Sequence, residues 1–457
     1  MKNFLYGTTA LIAAGFIAGS AMAQQAAPAK GAAEPLKLNI TGYWSHFIAA
    51  GKEESAPINL ATGGSINNRN PAAGRRNHGI AHEGEVHFAG STTLNNGTKV
   101  GLVIELEARG VGDSALEGGS TTNNASNATA GLGTTGVNSN QIDQAFMWFE
   151  GSWGRFEAGQ VWGAGLKMHY GGYNPTFGQF GELNNHVFFQ TPSTSVAAAN
   201  NITAVNTHVS LERFEKLTLY TPRLYGVQFG MSYTPDRGQN SRQGLAYFAQ
   251  KDTEGEQGAV VEYALNYVNK FGGVNVGAHA VYLKAVSERS AQTPNNPYLG
   301  NANDDQQMYG YGLNLKFMNF DVGGSYKWDN MGAKNPARDR KQFEIGVGYN
   351  WAPFSFGVQY MENKADDVNN TAGAATSLAA AQAGTHTDKL QSWLIGGNYT
   401  LGPGIHLIAA YQTWKNTNGC PVTAACYPKA GATSVADQFA ATENDAKAVI
   451  FGTRILF

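Results

Sequence analysis

Between Lys99 and Arg109, Val100, Leu102, Ile104 and Leu106 take one parity, while Lys99, Glu105, Glu107 and Arg109 take the other. A period of two puts the two sets on opposite faces of a strand, so one face suits hydrocarbon and the other water. The pattern returns in Tyr263, Leu265 and Tyr267, in Phe343, Ile345, Val347 and Tyr349, and in Phe354, Phe356, Val358 and Tyr360. Their neighbours Gln342, Glu344, Gly346, Gly348, Ser355, Gly357 and Gln359 are polar or small. Tyr and Phe gather at strand ends, where aromatic rings mark the interfaces of a membrane barrel. A soluble sandwich also alternates, but it gives no account of an aromatic band.

Turns and loops punctuate the strands in a fixed rhythm. Strands predicted over 82–92 and 99–109 are joined through Leu94, Asn95, Asn96 and Gly97, where Asn-Gly supplies the positive φ angles of a tight hairpin. The unit recurs across Gly151–Gly154, Pro222–Gly226, Asn269–Gly273, Met318–Phe320, Trp351–Pro353 and Leu401–Gly404. Long polar segments near 112–140, 235–257, 287–306, 329–340, 363–387 and 415–445 separate these hairpins. A first strand is predicted from Leu36 to about Phe47 and a last one from Ala448 to Phe457. The sum is about sixteen strands, an all-β fold. An even number brings the first and last strands together at the short-turn end, and closure removes exposed edges. A 16-stranded antiparallel transmembrane β-barrel leaves a lumen too wide for side chains to fill.

Composition agrees with that architecture. Of 457 residues 42% are hydrophobic and only 14% charged, and 57 are glycine. That enrichment suits strands and turns rather than helices. A formal net charge of -2, with no basic stretch among stacking aromatics, excludes a strong case for nucleic acid. Lys2, an apolar run around Ala10–Ala18 and Ala21-Met22-Ala23 read as a secretory signal over 1–23. The mature chain, 24–457, then leaves the cytoplasm. Cys420 and Cys426, in a glycine- and threonine-rich stretch, read as a loop disulfide in an oxidising compartment.

Four pieces carry a resemblance that spans nearly all of the mature chain: EVHFAGSTTLNNGTKVGLVIELEARG from Glu85, FEGSWGRFEAGQ from Phe149, KLTLYTPRLYGVQFGMSYTPD from Lys216, and the terminal Phe457. The chain resembles a Gram-negative general porin, in spacing its alphaproteobacterial branch. The resemblance implies an outer-membrane homotrimer that passes small hydrophilic solutes and ions by diffusion, with both termini periplasmic and no cofactor. It implies that Phe457 belongs to the signal read by the barrel-assembly machinery, and that a long loop, here 163–213, folds into the lumen as a constriction.

Within that loop, YNPTFGQFGE from Tyr173 resembles the family's loop tip, where carboxylates face basic residues on the opposite wall. A narrow gap between opposite charges sets a transverse field that biases ion choice. Here Glu182 is the only carboxylate between Ala158 and Leu211. For the opposing wall the candidates are Arg75, His87, Lys99, Arg109, Arg155 and Lys216. Arg155 also fits the rim, beside the turn at Gly154.

Catalytic and metal readings find no footing in the residues. His82 and His87 are five apart on a strand and face opposite ways, so with Glu83 and Glu85 they do not make a zinc-protease motif. No nucleophile elbow or phosphate loop occurs. Glu105, Glu107, Glu150 and Glu157 fit a wetted pore wall better than a glycosidase pair. His279 and His406 fall on the lumenal parity, away from a lipase-like placement. A solute-selective channel with a lumenal binding track is the alternative to a general one.

Overall fold

The computed structural model describes residues 35–53, 77–108, 142–178, 213–236, 257–287, 304–330, 332, 339–368, 385–417 and 444–457. The strands are Lys37–Glu53 (β1), His78–Thr93 (β2), Lys99–Glu107 (β3), Ile142–Gly151 (β4), Gly154–Val161 (β5), Phe214–Tyr220 (β6), Val227–Asp236 (β7) and Gln257–Phe271 (β8). They continue as Val274–Ser287 (β9), Gln306–Phe317 (β10), Phe320–Asp329 (β11), Arg340–Trp351 (β12), Phe354–Val368 (β13), Thr385–Gly402 (β14), Ile405–Thr417 (β15) and Asn444–Leu456 (β16). One short helix, Ala164–Lys167 (α1), follows β5. Each strand pairs antiparallel with its neighbours in sequence, and β16 pairs with β1, so the sheet is a closed barrel. Every strand thus finds ladder partners on both sides, the condition for backbone to lie in hydrocarbon.

The two parities separate as the alternation predicts. Tyr263 and Leu265 on β8, Ile345 and Val347 on β12, and Phe356 and Val358 on β13 stand exposed on the outer face. On β14 the outward residues from Trp393 through Ile395 and Tyr399 to Leu401 span about 20 Å along the membrane normal at the rise and tilt of a barrel strand. The lumenal parity is not uniformly polar, as the simple alternation would have it. Phe47, Met361, Leu390, Leu394, Trp414 and Ile450 form one buried cluster, and Val260, Ala264, Val281, Leu283 and Met308 belong to another. The inserted segment supplies the reason: Phe177 packs into the first cluster and Ala164 and Met168 into the second. Apolar groups carried into the lumen need apolar anchors there.

Several strands outrun the sequence expectation at the long-loop end. β1 continues to Glu53 rather than Phe47, and β13 and β14 extend into the polar stretch 363–387. Alternation marks only the part of a strand beside lipid; beyond it, ladder hydrogen bonds to a neighbour suffice to hold polar residues extended. The turn after β2 is also wider than a two-residue hairpin. Leu94 accepts from the Gly97 N–H and donates to Thr98 C=O, each at 2.8 Å, and at this turn only Gly97 takes a positive φ, +85°. Gly97 alone supplies the left-handed step.

Candidate functional site: the lumen and its inserted segment

Residues 162–178 leave β5 and run along the inner wall from β6 round to β16. At the foot, Lys167 Nζ and Arg155 Nε donate to opposite oxygens of the buried Glu157, at 2.7 and 2.8 Å. Arg155 also meets Glu150 at 3.2 Å and lies 4.4 Å over the Trp148 ring. The α1 backbone is then tied to the wall: the N–H of Ala164 donates to Ser232 Oγ at 2.8 Å and that of Gly165 to Glu262 Oε2 at 3.1 Å. Further along, the N–H of Tyr170 donates to His279 Nδ1 at 3.0 Å and that of Gly172 to Glu344 Oε1 at 2.7 Å. Wall carboxylates and imidazoles are here anchors for a backbone that has no sheet of its own.

The path is cut into the wall by glycines. A Cβ on Gly277 would meet the Tyr170 ring, and a Cβ on Gly348 or Gly357 the Tyr173 ring, all closer than 3 Å. Gly346 likewise leaves room for the Tyr173 backbone and Gly323 for the Gly171 carbonyl. The segment therefore lies in a trough of missing side chains.

At the far end Asn174 Oδ1 accepts from the N–H and hydroxyl of Thr176, both at 2.9 Å, and from the Gly178 N–H at 3.2 Å. This is the local turn chemistry of Asn-Pro. It holds Phe177 at φ +58°. Arg454 donates to the Phe177 carbonyl at 3.0 Å, and the Phe177 ring lies 4.7 Å from His406.

Electrostatics differ along the segment. His169 sits 3.3 Å from Ser325 Oγ and 4.6 Å from the His279 ring. Enclosure against the wall, with the Lys327 ammonium nearby, holds its imidazole down to about 3. Enclosure pushes the Tyr173 phenol up to about 12. Desolvation lowers the Lys167 ammonium, and Glu157 opposes that effect.

The wall of β2, β3 and β4 is strongly acidic. Single oxygens of Glu83, Glu85 and Glu107 lie within 4.8 Å of one another, as do ligand atoms of Glu85, His87 and Glu105. His87 Nε2 meets Glu85 Oε2 at 2.6 Å, and Gln144 donates to Glu105 Oε2 at 2.5 Å. Asp143, at the bulge opposite Glu105, pairs with Arg213. Glu85 is thus engaged by His87 and Tyr43, and Glu105 by Gln144.

The sequence-derived basic wall is thus redistributed. His87 is buried among carboxylates, and Lys216 is buried on β6 beside Gly159. Lys99 is the exposed first residue of β3, at the short turn. Arg155 belongs to the foot of the segment, one carboxylate away from it. Arg75, Arg109, Glu182, Cys420 and Cys426 lie outside the described residues. Arg454, Arg213 and Lys167 were the basic residues that strand parity alone did not single out. Arg454 could have been found, since it is the one charged residue in the terminal alternation.

A sequence profile described as Gram-negative porin matches residues 7–419, on a chain whose structure is a closed sixteen-stranded barrel with a lumenal segment. The chain belongs to the Gram-negative porin family. This porin is accordingly an outer-membrane channel for passive diffusion. Among solved structures it is similar to the anion-selective porin from Comamonas acidovorans, at 13% identity and a TM-score of 0.51, covering 93% of this chain and 100% of that one. OmpT of Vibrio cholerae follows at 10% identity and a TM-score of 0.48, covering 93% and 98%. OmpF of Salmonella typhi stands at 14% and 0.47, covering 91% and 97%. At such identities the likeness is one of fold. No curated protein matches the porin's sequence.

Proposed function

We propose that this porin is a general, non-specific channel of the alphaproteobacterial type that favours cations. The carrying observation is the acidic wall: Glu83, Glu85, Glu105 and Glu107 gather on two adjacent strands of the lumen. In a confined aqueous path, fixed carboxylates raise the local concentration of cations and repel anions. Segment 163–213 is the constriction, supported by the docking of its first part across the wall, with Glu182 and the basic residues Arg75, Arg109, Lys99, Lys216, His87 and Arg155 completing the lumen's charge pattern. No chemical step is involved; the solute gradient drives flux.

The remaining parts of the proposal rest on the family and, for the signal peptide and the disulfide, on the residues themselves. Residues 1–23 are the signal peptide, 24–457 the barrel, and both termini are periplasmic, a reading supported by the start of β1 and the end of β16 lying at the short-turn end. Phe457 is read by the barrel-assembly machinery, Cys420 and Cys426 form a disulfide, and the porin is a homotrimer. A break in the outer apolar band supports the trimer: His46 and His82 are register partners on β1 and β2, and Trp44 stacks on His82 at 5.0 Å.

Planar-bilayer recordings test the reading. Under a KCl gradient the reversal potential is expected to move toward that of potassium, with conductance linear in salt and rising in three equal steps per insertion. A shift toward the chloride potential removes the cation preference. Saturation by one solute removes the general channel in favour of a binding track.

A further inference from the structure

Strand parity separates His82 from His87, but the ladder brings other donors to His87. Glu83, Glu85 and His87 share the lumenal face of β2, and across the ladder His87 stands opposite Glu105 and Glu85 opposite Glu107 on β3. An imidazole nitrogen of His87 and single oxygens of Glu85 and Glu105 lie within 4.8 Å of one another. Single oxygens of Glu83, Glu85 and Glu107 do the same, so Glu85 belongs to both sets. Two donors each about 2.1 Å from one ion stand at most about 4.2 Å apart, and small side-chain rotations close either set around one.

The donors are also oriented from behind. Tyr43 donates to Glu85 Oε1 at 3.1 Å and Gln144 to Glu105 Oε2 at 2.5 Å, the kind of outer hydrogen bond that fixes a ligating carboxylate. His87 Nε2 meets Glu85 Oε2 at 2.6 Å, a separation that one shared proton holds and a divalent cation in its place would widen only slightly. Glu85 directly opposite Glu107 sets like charge against like, and a divalent cation turns that repulsion into shared ligation. Two buried polar atoms flank the patch. Ser45 Oγ stands on β1 beside its register partner Glu83, and Asp143 Oδ2 stands at the β4 bulge beside Glu105, its companion oxygen paired with Arg213. Ser45 is 0% and Asp143 4% exposed, and neither of these two atoms has a hydrogen-bond partner among the described residues. Buried polar atoms need partners, and a hydrated ion on the patch supplies them.

We propose that this patch is a coordination site for a divalent first-row transition cation, with Glu85, His87 and Glu105 as protein ligands and Glu83 and Glu107 as the carboxylates that attract it. The imidazole decides the class. Carboxylates alone suit calcium or magnesium, whereas a nitrogen donor among them favours zinc, nickel or iron. A bound ion cancels wall charge, so occupancy sets how strongly the pore prefers cations. That consequence rests on the cation-preference reading; binding itself needs only a wetted wall.

Zinc is the probe, added as its salt to the whole porin in detergent after chelator treatment. Calorimetry is expected to show binding at least roughly tenfold tighter for zinc than for calcium. His87→Gln should lose that margin, and Glu105→Gln should reduce it. On the wild type, zinc X-ray absorption should show a single imidazole among oxygen ligands. Equal binding of zinc and calcium, an undiminished His87→Gln variant, or a spectrum with two or more imidazoles would overturn the proposal, the last two assigning the zinc to other histidines such as His46 and His82. In planar bilayers, zinc should move the wild-type KCl reversal potential toward that of chloride and leave that of His87→Gln in place. A wild-type potential that zinc does not move would put the ion off the conducting path and overturn the proposal as well. The same recording without zinc tests the cation preference, so either reading can fail without the other.

Discussion

At the scale of the residue, His169 sets a pH dependence on the inserted segment. Its folded value, about 3, lies below the ordinary 6.5 of an unfolded histidine. The docked segment therefore binds fewer protons than the undocked one between these values, so docking is fully favoured above about pH 6.5 and weakens as pH falls toward 3. Hydrogen exchange of amides 164–173, taken as a ratio to those of β12, is expected to rise steeply on acidification in the wild type. His169→Gln should flatten that rise; an unchanged profile would show that His169 does not couple docking to pH. Glu157 holds the foot of the segment, serving Lys167 and Arg155 at once.

At the scale of the element, the segment is positioned by what the strands lack. Gly348 and Gly357 are register partners on β12 and β13, and the Tyr173 ring lies against both. Gly348→Val puts branched carbon where that ring sits, and the lumenal parity of a strand tolerates valine. The expected result is a barrel of normal stability, within about 1 kcal/mol, whose inserted segment is displaced, with single-channel conductance raised and larger neutral sugars admitted. Conductance and sugar exclusion identical to wild type would mean that Tyr173 does not narrow the path. Alternation reveals these glycines as small residues on the wet face; that they form a trough is invisible until β9 to β13, with glycines from Gly277 to Gly357, curve into one wall.

For the whole molecule, closure is the cooperative step, and its seam is explicit. Gly42 and Phe457 exchange two backbone hydrogen bonds, at 2.9 and 3.1 Å, and a Cβ on Gly42 would meet both the Glu85 carbonyl and the Phe457 ring. Gly42→Val should hinder both pairings of β1, with β2 and with β16, lowering barrel stability by about 1–3 kcal/mol. The fraction of heat-modifiable folded barrel in urea measures it. A variant that folds like wild type would show that the seam adapts around the added carbon.

Although the strands run further at the long-loop end, β1 to Glu53 and β13 to Val368, the chain's alternation and its turn residues determined the sheet, the number of strands, their short-turn ends and which face meets lipid. These follow from a local period of two against a two-solvent environment, and no distant contact is needed to read them. Glu105 and Glu107 were legible as lumenal for the same reason. That they join Glu83 and Glu85 in one acidic wall and that Arg155 belongs to the foot of the inserted segment were decided only by register. Register depends on the stagger of each hairpin around the closed sheet. A linear sequence carries each residue's face, and the closed barrel alone assigns its height.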